Sequence, residues 1–386
     1  MFYGGAMRSS ATGALPEISE STRQAVMLLL RRGPMTRSEL ARRLRLSKAA
    51  LTKITRPLLE IGLVQEGATL ARSSPGRPFA PLSVNVDFGS FVGVKLTGDR
   101  SYAVLTDLSG TVIDARDEPL PSTDLATVST AIVDQIKKLS GDSSPARVGV
   151  SLAGSVLRST GHVLSSPFLG WRNVDLATTL TEHLTWPVSV ENDLRALTVA
   201  QHWSAESVAS MVMVTFGAGV GCGLVLNHKL LVGQGGVSGA VNHLRIRDDG
   251  PPCHRGHHGC VSGFATTRAI LTAVHPETNA QNLSDVAAMA RNGDRLALSV
   301  LADAGYAMGC LIGTICNITG PEQVVLSGEG AALLDLLDAS LQQGITEVIH
   351  PAVPPVTLVV KQLPFTEWAR GAALVAIEDH LAPRTQ

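Results

Sequence analysis

Lys48, Ala49, Thr52, Lys53 and Arg56 fall on one face of a short run whose other face carries Leu51, Ile54, Leu58 and Ile61. Apolar residues at that spacing predict an amphipathic helix. Its polar face could recognise a nucleic-acid duplex: the cations can hold phosphates, and Thr52 can contact a phosphate or a base edge. Ser47 stands where such a helix would be capped. Upstream, Thr36, Arg37 and Ser38 open another predicted helix, at whose start free backbone N–H groups attract phosphate. Downstream, Leu63-Val64-Gln65-Glu66-Gly67 and Ser74-Pro75-Gly76-Arg77-Pro78 read as a β-wing, with Arg77 at a tip able to enter the minor groove.

The elements that must hold these residues are three helices. Ser21 and Gln24 have capping-box spacing ahead of Val26, Leu29 and Leu30, and Gly33-Pro34 stops that helix. Thr36 and Glu39 form a second box, with Leu40 and Leu44 inward. Arg45-Leu46 make a tight turn, Ser47 opens the third helix and Gly62 ends it. Three short helices with a tight second turn are the winged helix-turn-helix arrangement, in which the third helix enters the major groove. A small helical bundle that binds protein, or nothing, would share the caps and the spacing. Charge separates the two readings. Residues 1–85 carry 13 Lys or Arg against 5 Asp or Glu, a net of +8, so the remainder is −9 for the chain's −1. The basic head, the wing and the polar third helix together favour DNA.

The chain has 386 residues, too many for one ordinary core. Apolar residues make up 45% and charged residues 17%, which excludes a disordered or collagenous chain. Five cysteines do not make a disulfide-stapled scaffold. No signal peptide is readable, so a cytoplasmic location is expected. The stretch between Glu206 and Lys229 lacks charge over a bilayer's length, but Gly217, Gly219, Gly221 and Gly223 break it into strand, turn and strand. The expected domains are a flexible tail over 1–18, the winged helix over 19–85 and an α/β body over 86–386. In the body, strands are predicted at Phe91–Leu96, Tyr102–Leu108, Arg147–Leu152, Pro187–Val190 and Gln323–Leu326. Helices are predicted at Thr123–Leu139, Leu176–Leu184 and Leu194–Ser204.

Several motifs of the body, in order, resemble the ROK family (repressors, open reading frames, kinases). They are the first hairpin ending in Asp107-Leu108-Ser109-Gly110, then Gly170-Trp171, Glu191-Asn192-Asp193, Gly217-Ala218-Gly219-Val220-Gly221, and His243 with Cys253 and Cys260. The resemblance implies a two-lobed, actin-like sugar-kinase fold. Its regulators add an amino-terminal winged helix with a Gly-Arg-Pro wing, like Gly76-Arg77-Pro78.

Kinases of that family carry Asp-Ile-Gly-Gly-Thr-Lys in the first hairpin. Here the Asp position is Lys95, the first Gly is Thr97, Gly98 survives, the Thr is Asp99 and the Lys is Arg100. The loss of a magnesium partner and the carboxylate of Asp99 beside the phosphates oppose phosphoryl transfer. No ATP is therefore expected. Asp193, at the family's general-base position, is not expected to catalyse; Asn192 and Asp193 are either surviving sugar contacts or a helix cap. The resemblance makes Trp171, Asn192, Asp193 and His243 candidate effector contacts. Two glutamates of the family's sugar grip are replaced by Ala240 and Ser262, so an ordinary hexose should bind poorly.

The same resemblance implies a structural zinc on His243, Cys253 and Cys260. Arg255 occupies the middle ligand position and cannot bind zinc. His254, His257 or His258 could supply the fourth donor, with His257 taken as the candidate; a metal-free loop held by Pro251, Pro252 and Gly256 is the alternative.

The expectation is thus a repressor of sugar-uptake or sugar-metabolism genes. It would bind a near-palindromic operator on double-stranded DNA as a homodimer or homotetramer, and would answer to a sugar or sugar derivative. The alternatives are a sugar kinase with a regulatory head, opposed by Lys95 and Asp99, and an effector-independent regulator with a relict pocket. No membrane partner is expected.

Overall fold

The computed structural model describes residues 18–68, 80–141, 143–205, 207–275 and 278–382. Three helices come first: α1 (Glu20–Arg32), α2 (Arg37–Arg43) and α3 (Lys48–Glu60). Each is capped by a hydroxyl that accepts a backbone N–H, with Ser19 taking Thr22, Thr36 taking Glu39 and Ser47 taking Ala50. The α1 cap is therefore Ser19 and not Ser21. Ile18 beside it is buried, so position 18 belongs to the folded head and not to a tail. Residues 1–17 lie outside the described residues. Arg45 takes a left-handed φ of 54° in the α2–α3 turn, which reverses the chain in few residues.

Along α3 the inward residues are Leu51, Thr55 and Leu58, while Ile61 is exposed. Thr55 takes an inward place that the apolar pattern assigned to Ile54 and Ile61. Its hydroxyl donates to the Leu51 carbonyl at 2.9 Å, which satisfies it without water. Strands β1 (Val64–Glu66) and β2 (Leu82–Val84) pair antiparallel, and Met35 bridges to Leu82. They are the base of the wing; its tip, with Arg77, falls in 69–79, outside the described residues.

Next come β3 (Phe91–Leu96), β4 (Arg100–Thr106), β5 (Val112–Pro119), α4 (Leu125–Ser140) and β6 (Arg147–Leu152). They are followed by β7 (Ser155–Leu157), β8 (His162–Ser166), β9 (Trp171–Val174), α5 (Leu176–His183), β10 (Val188–Asn192) and α6 (Asp193–Trp203). One sheet has the order β10-β6-β3-β4-β5, with β3, β6 and β10 parallel and β4 and β5 antiparallel hairpin partners; β7-β8-β9 form a small separate sheet. The chain then builds β11 (Met211–Phe216), β12 (Val220–Leu226), β13 (Lys229–Leu230), α7 (Val261–Ala265), α8 (Thr267–Val274), α9 (Leu283–Arg291) and α10 (Arg295–Thr319). After these come β14 (Gln323–Ser327), α11 (Leu334–Val348), β15 (Thr357–Val360) and α12 (Phe365–His380). Their sheet has the order β13-β12-β11-β14-β15.

Contacts divide the chain into two units, residues 1–206 with 365–386, and residues 207–364. The winged helix and the β3 sheet both fall in the first unit. The uncharged stretch before Lys229 is the β11–β12 hairpin, with Gly221 and Gly223 inside β12. Among the described residues one helix, α10, is long and apolar enough to cross a membrane, and 61% of its most apolar window is buried. It packs along α11 over the second unit's core.

In the first unit, α12 lies directly on β3 and β6 because both strands present glycine to it. A Cβ on Gly93 would sit 2.0 Å from the Ala369 carbonyl oxygen, and one on Gly149 1.9 Å from that of Ala372. Gly93→Ala must push α12 off the sheet. Overpacking of this kind costs ~1–3 kcal/mol or more. A urea titration of the variant should show at least that loss; an unchanged midpoint would mean that α12 is not seated there.

Candidate functional site

On α3, Lys48, Ala49, Thr52, Lys53 and Arg56 are all exposed, while Leu51, Thr55 and Leu58 anchor the opposite face. The five candidates therefore form one solvent-facing surface. Thr52 donates its hydroxyl to the Lys48 carbonyl at 2.9 Å and keeps its lone pairs. Arg56 pairs with Glu60 at 2.8 Å one turn on. Such an exposed pair is worth only ~0.3–0.5 kcal/mol, so a phosphate can displace it. Ser38 and Ser47 are exposed at the starts of α2 and α3, with Ser47 already engaged as a cap. Arg37 pairs with Glu66 of β1 and ties the start of α2 to the base of the wing.

The second constellation lies at the junction of β10 and α6. Asn192 is the α6 cap: its Oδ1 accepts the Arg195 N–H at 3.0 Å, and its Nδ2 donates to the Gly154 carbonyl at 2.9 Å and to Asp193 Oδ1 at 3.3 Å. Asp193 Oδ1 also accepts the Leu194 N–H at 2.9 Å, and its Oδ2 accepts from Lys95 Nζ. Lys95 is 3% exposed and Asp193 8%. A lysine buried in a strand needs such a partner, since an unpaired buried ammonium is costly. Lys95 thus engages one oxygen of the Asp193 carboxylate. Lys95 Nζ also lies 5.4 Å from the Trp368 ring centre.

Residue type shows Lys95 as a lost carboxylate but not its partner Asp193. The signal available was a lysine inside the apolar run Phe91–Leu96. In the hairpin that follows, Thr97 donates its hydroxyl to Asp99 at 2.9 Å, and Arg100 pairs with Asp117 of β5. Trp171 lies in the core of the first unit, and its one donor, the indole N–H, is spent on the Thr123 carbonyl at 2.7 Å. The structure thus gives Trp171 a packing role.

A further group of this unit was not legible as a site. Arg158 meets Asp379 at 2.9 Å, Glu191 at 3.5 Å and Glu378 at 3.6 Å. Burial alone would lower the Arg158 pKa, but the three carboxylates outweigh it and hold the pKa above the ordinary arginine value. Glu191 also pairs with Arg195 inside the core, at 2.7 Å from Nε.

In the second unit, ligand atoms of His243, Cys253, His257 and Cys260 all lie within 4.8 Å of one another. His243 Nδ1 is 3.6 Å from both thiols. Tetrahedral zinc, with ~2.3 Å to sulfur and ~2.0 Å to nitrogen, spaces its donors roughly 3.3–3.8 Å apart, so His243 already stands from each thiol at the spacing the ion needs. Of the three neighbouring histidines, His257 turns to the cluster. His258 Nδ1 is 3.3 Å from the Gly250 carbonyl, and the His254 ring centre is 5.4 Å from that of His243. Arg255 contributes only its backbone N–H, 3.4 Å from the Cys253 sulfur. Burial first, then His257 and His254, push the His243 pKa below its usual value, which favours the neutral imidazole that a metal takes. Ser262 is buried and donates to the Asn242 carbonyl at 2.7 Å. All five cysteines are free thiols.

A family model described as "ROK family" matches residues 91–379, three-quarters of the chain. The chain belongs to the ROK family. Within it, a MarR family model matches residues 18–66, the winged-helix segment. The ROK chain is similar to a xylose repressor of Caldicellulosiruptor bescii, 25% identical over 81% of this chain and 84% of the relative. It is similar to the DNA-binding transcriptional dual regulator NagC of Escherichia coli, 27% identical over 77% of each. Among solved structures it is similar to a ROK family transcriptional regulator described as a homolog of the E. coli MLC protein. That match has a TM-score of 0.80 and 27% identity over 93% of this chain and 96% of that one.

Proposed function

We propose that this ROK protein is a DNA-binding transcriptional regulator that represses sugar-uptake or sugar-metabolism genes. The observation that carries the reading is the solvent-facing surface of Lys48, Ala49, Thr52, Lys53 and Arg56 on the third helix of a winged helix. The names of the relatives support it. In this reading the protein acts in the cytoplasm, where its operators are. Two copies related by a two-fold axis would set two α3 helices on a near-palindromic operator. It does not act as a kinase, because Lys95 occupies the Asp193 carboxylate. A fluorescence-anisotropy titration on fragments of the neighbouring DNA, with a sugar panel added, tests this. Specific binding that one sugar releases is expected; no specific binding on any fragment overturns it.

One observation favours a second reading, a DNA-binding regulator with a relict effector pocket. Asn192 is spent on capping and Ser262 on its own loop. A thermal-shift screen separates the two, since a ligand that binds only the folded state raises its stability. Stabilisation by one sugar is expected of the effector-gated protein, and none of the relict pocket.

We further propose that His243, Cys253, His257 and Cys260 hold a structural zinc. When bound, the ion would cross-link the 243–260 loop. Metal analysis of the purified protein should find one zinc per chain. His257→Ala should weaken retention against a chelator roughly 100-fold or more, since loss of a mere outer partner of a zinc ligand already costs ~10–100-fold. Zinc-free protein whose melting temperature a chelator leaves unchanged would sink this proposal.

A further inference from the structure

We propose that Arg31 couples the winged helix to the Asn192–Asp193 segment, so that DNA binding and the state of that segment bias each other. The proposal deepens the regulatory reading above and rests on it.

Arg31 lies in the last turn of α1, which packs against α3 and β2, so moving α1 moves the DNA-facing helix. Its guanidinium is directed away from the head. One nitrogen is 3.4 Å from Glu378 of α12, another is 3.3 Å from His202 Nδ1, and the group lies 5.2 Å from the Trp203 ring centre.

From there two routes reach the same place. His202 and Trp203 are in the last turn of α6, which starts from the Asn192 cap and Asp193. Glu378 also contacts Arg158, Arg158 contacts Glu191, and Glu191 Oε1 accepts the Asn192 backbone N–H at 2.6 Å. Glu191 further holds Arg195, which lies in the first turn of α6.

The ionic route has the properties a coupling element needs. Three arginines (31, 158 and 195) balance three carboxylates (Glu191, Glu378 and Asp379). Their side chains are between 1% and 27% exposed, so water does not substitute freely for a lost partner. In such a setting a small displacement of one charge is resolved by exchanging partners, not by gradual stretching. If α1 tilts on DNA, Glu378 loses Arg31 and is left to Arg158 alone. Arg158 then shares itself differently between Glu378, Asp379 and Glu191, and Glu191 is what fixes the Asn192 amide. By linkage, whatever rearranges Asn192–Asp193 must change the hold on Arg31 to the same extent.

Amide hydrogen exchange of the full-length protein, with and without a duplex fragment that it binds, tests this without knowledge of the effector. In the wild type, DNA should change exchange in the first turn of α6 about fivefold or more, the lower end of ordinary coupling. Arg31→Met and the near-isosteric Glu378→Gln should each still bind DNA but lose that response, and Arg31→Lys should keep part of it. If the network were only a fastener, both variants would be less stable yet show the wild-type response; that result, or no response in the wild type, overturns the coupling. A wild type that binds no duplex fails differently, taking the regulator reading down as well.

Discussion

Lys95→Ala is expected to destabilise the first unit by about 3–5 kcal/mol, the usual cost of removing one partner of a buried ion pair. The penalty arises from what is left behind. Asp193 is 8% exposed, and one of its oxygens already serves Leu194 and Asn192. The other would have no cation. Lys95→Met combined with Asp193→Leu removes both charges and should recover most of the loss, because buried pairs replaced by packed apolar residues are often neutral or better. Urea unfolding followed by tryptophan fluorescence reports this unit selectively, since Trp171, Trp186, Trp203 and Trp368 all lie in it. A Lys95→Ala protein within ~1 kcal/mol of the wild type, the range of an exposed pair, would show that the pair is not formed in solution. Asp193 would then be available as a base, and the kinase alternative would have to be reopened with an ATP-turnover assay.

Lys53→Ala with Arg56→Ala should abolish most DNA affinity while leaving the fold intact. Both side chains are exposed, while Leu51, Thr55 and Leu58 are the buried residues of the helix. Removing one cation from a phosphate should lower the slope of log affinity against log salt by about one, and removing two amounts to roughly 10–100-fold in affinity at physiological ionic strength. Anisotropy titrations at several salt concentrations read both quantities. An unchanged slope would mean that this face does not meet the phosphates. A reduced slope with unchanged preference among fragments would assign the pair to positioning, and the reading of bases to other residues of the face such as Thr52.

The head was largely legible in the sequence because capping is local chemistry. Thr36 and Ser47 cap α2 and α3 where their spacing placed them. The α1 cap was not readable because Ser19 and Ser21 offer the same hydroxyl, and only the hydrogen bond that Thr22 N–H gives to Ser19 decides between them. Thr55 was hidden by its polarity, although a hydroxyl can satisfy itself on the preceding turn. The strands β3, β6 and β14 were readable as apolar runs. The three short strands β7–β9 were not, since segments of three to five residues gain their identity from pairing. The candidate site divides the same way. Asn192 as a possible cap and Lys95 in place of the family's aspartate follow from residue type. That Lys95 reaches Asp193, 98 positions away, does not. Nor could spacing alone choose His257 over His254 and His258, because the choice rests on how the loop folds back.

The seating of α12 on the first sheet sets an order of synthesis. Gly93 and Gly149 leave a bare strip that α12 fills, and α12 also brings Glu378 to Arg31. On the ribosome, the winged helix and the sheet emerge first, but their covering helix is encoded after residues 207–364. At ~5–20 residues per second that segment occupies the ribosome for roughly 8–30 s. Throughout that interval the nascent sheet exposes an apolar face to the cell, and the head lacks its Glu378 anchor. A chain that stopped before residue 365 would carry a DNA-reading head on an unfinished unit, its glycine strip uncovered until α12 has been made.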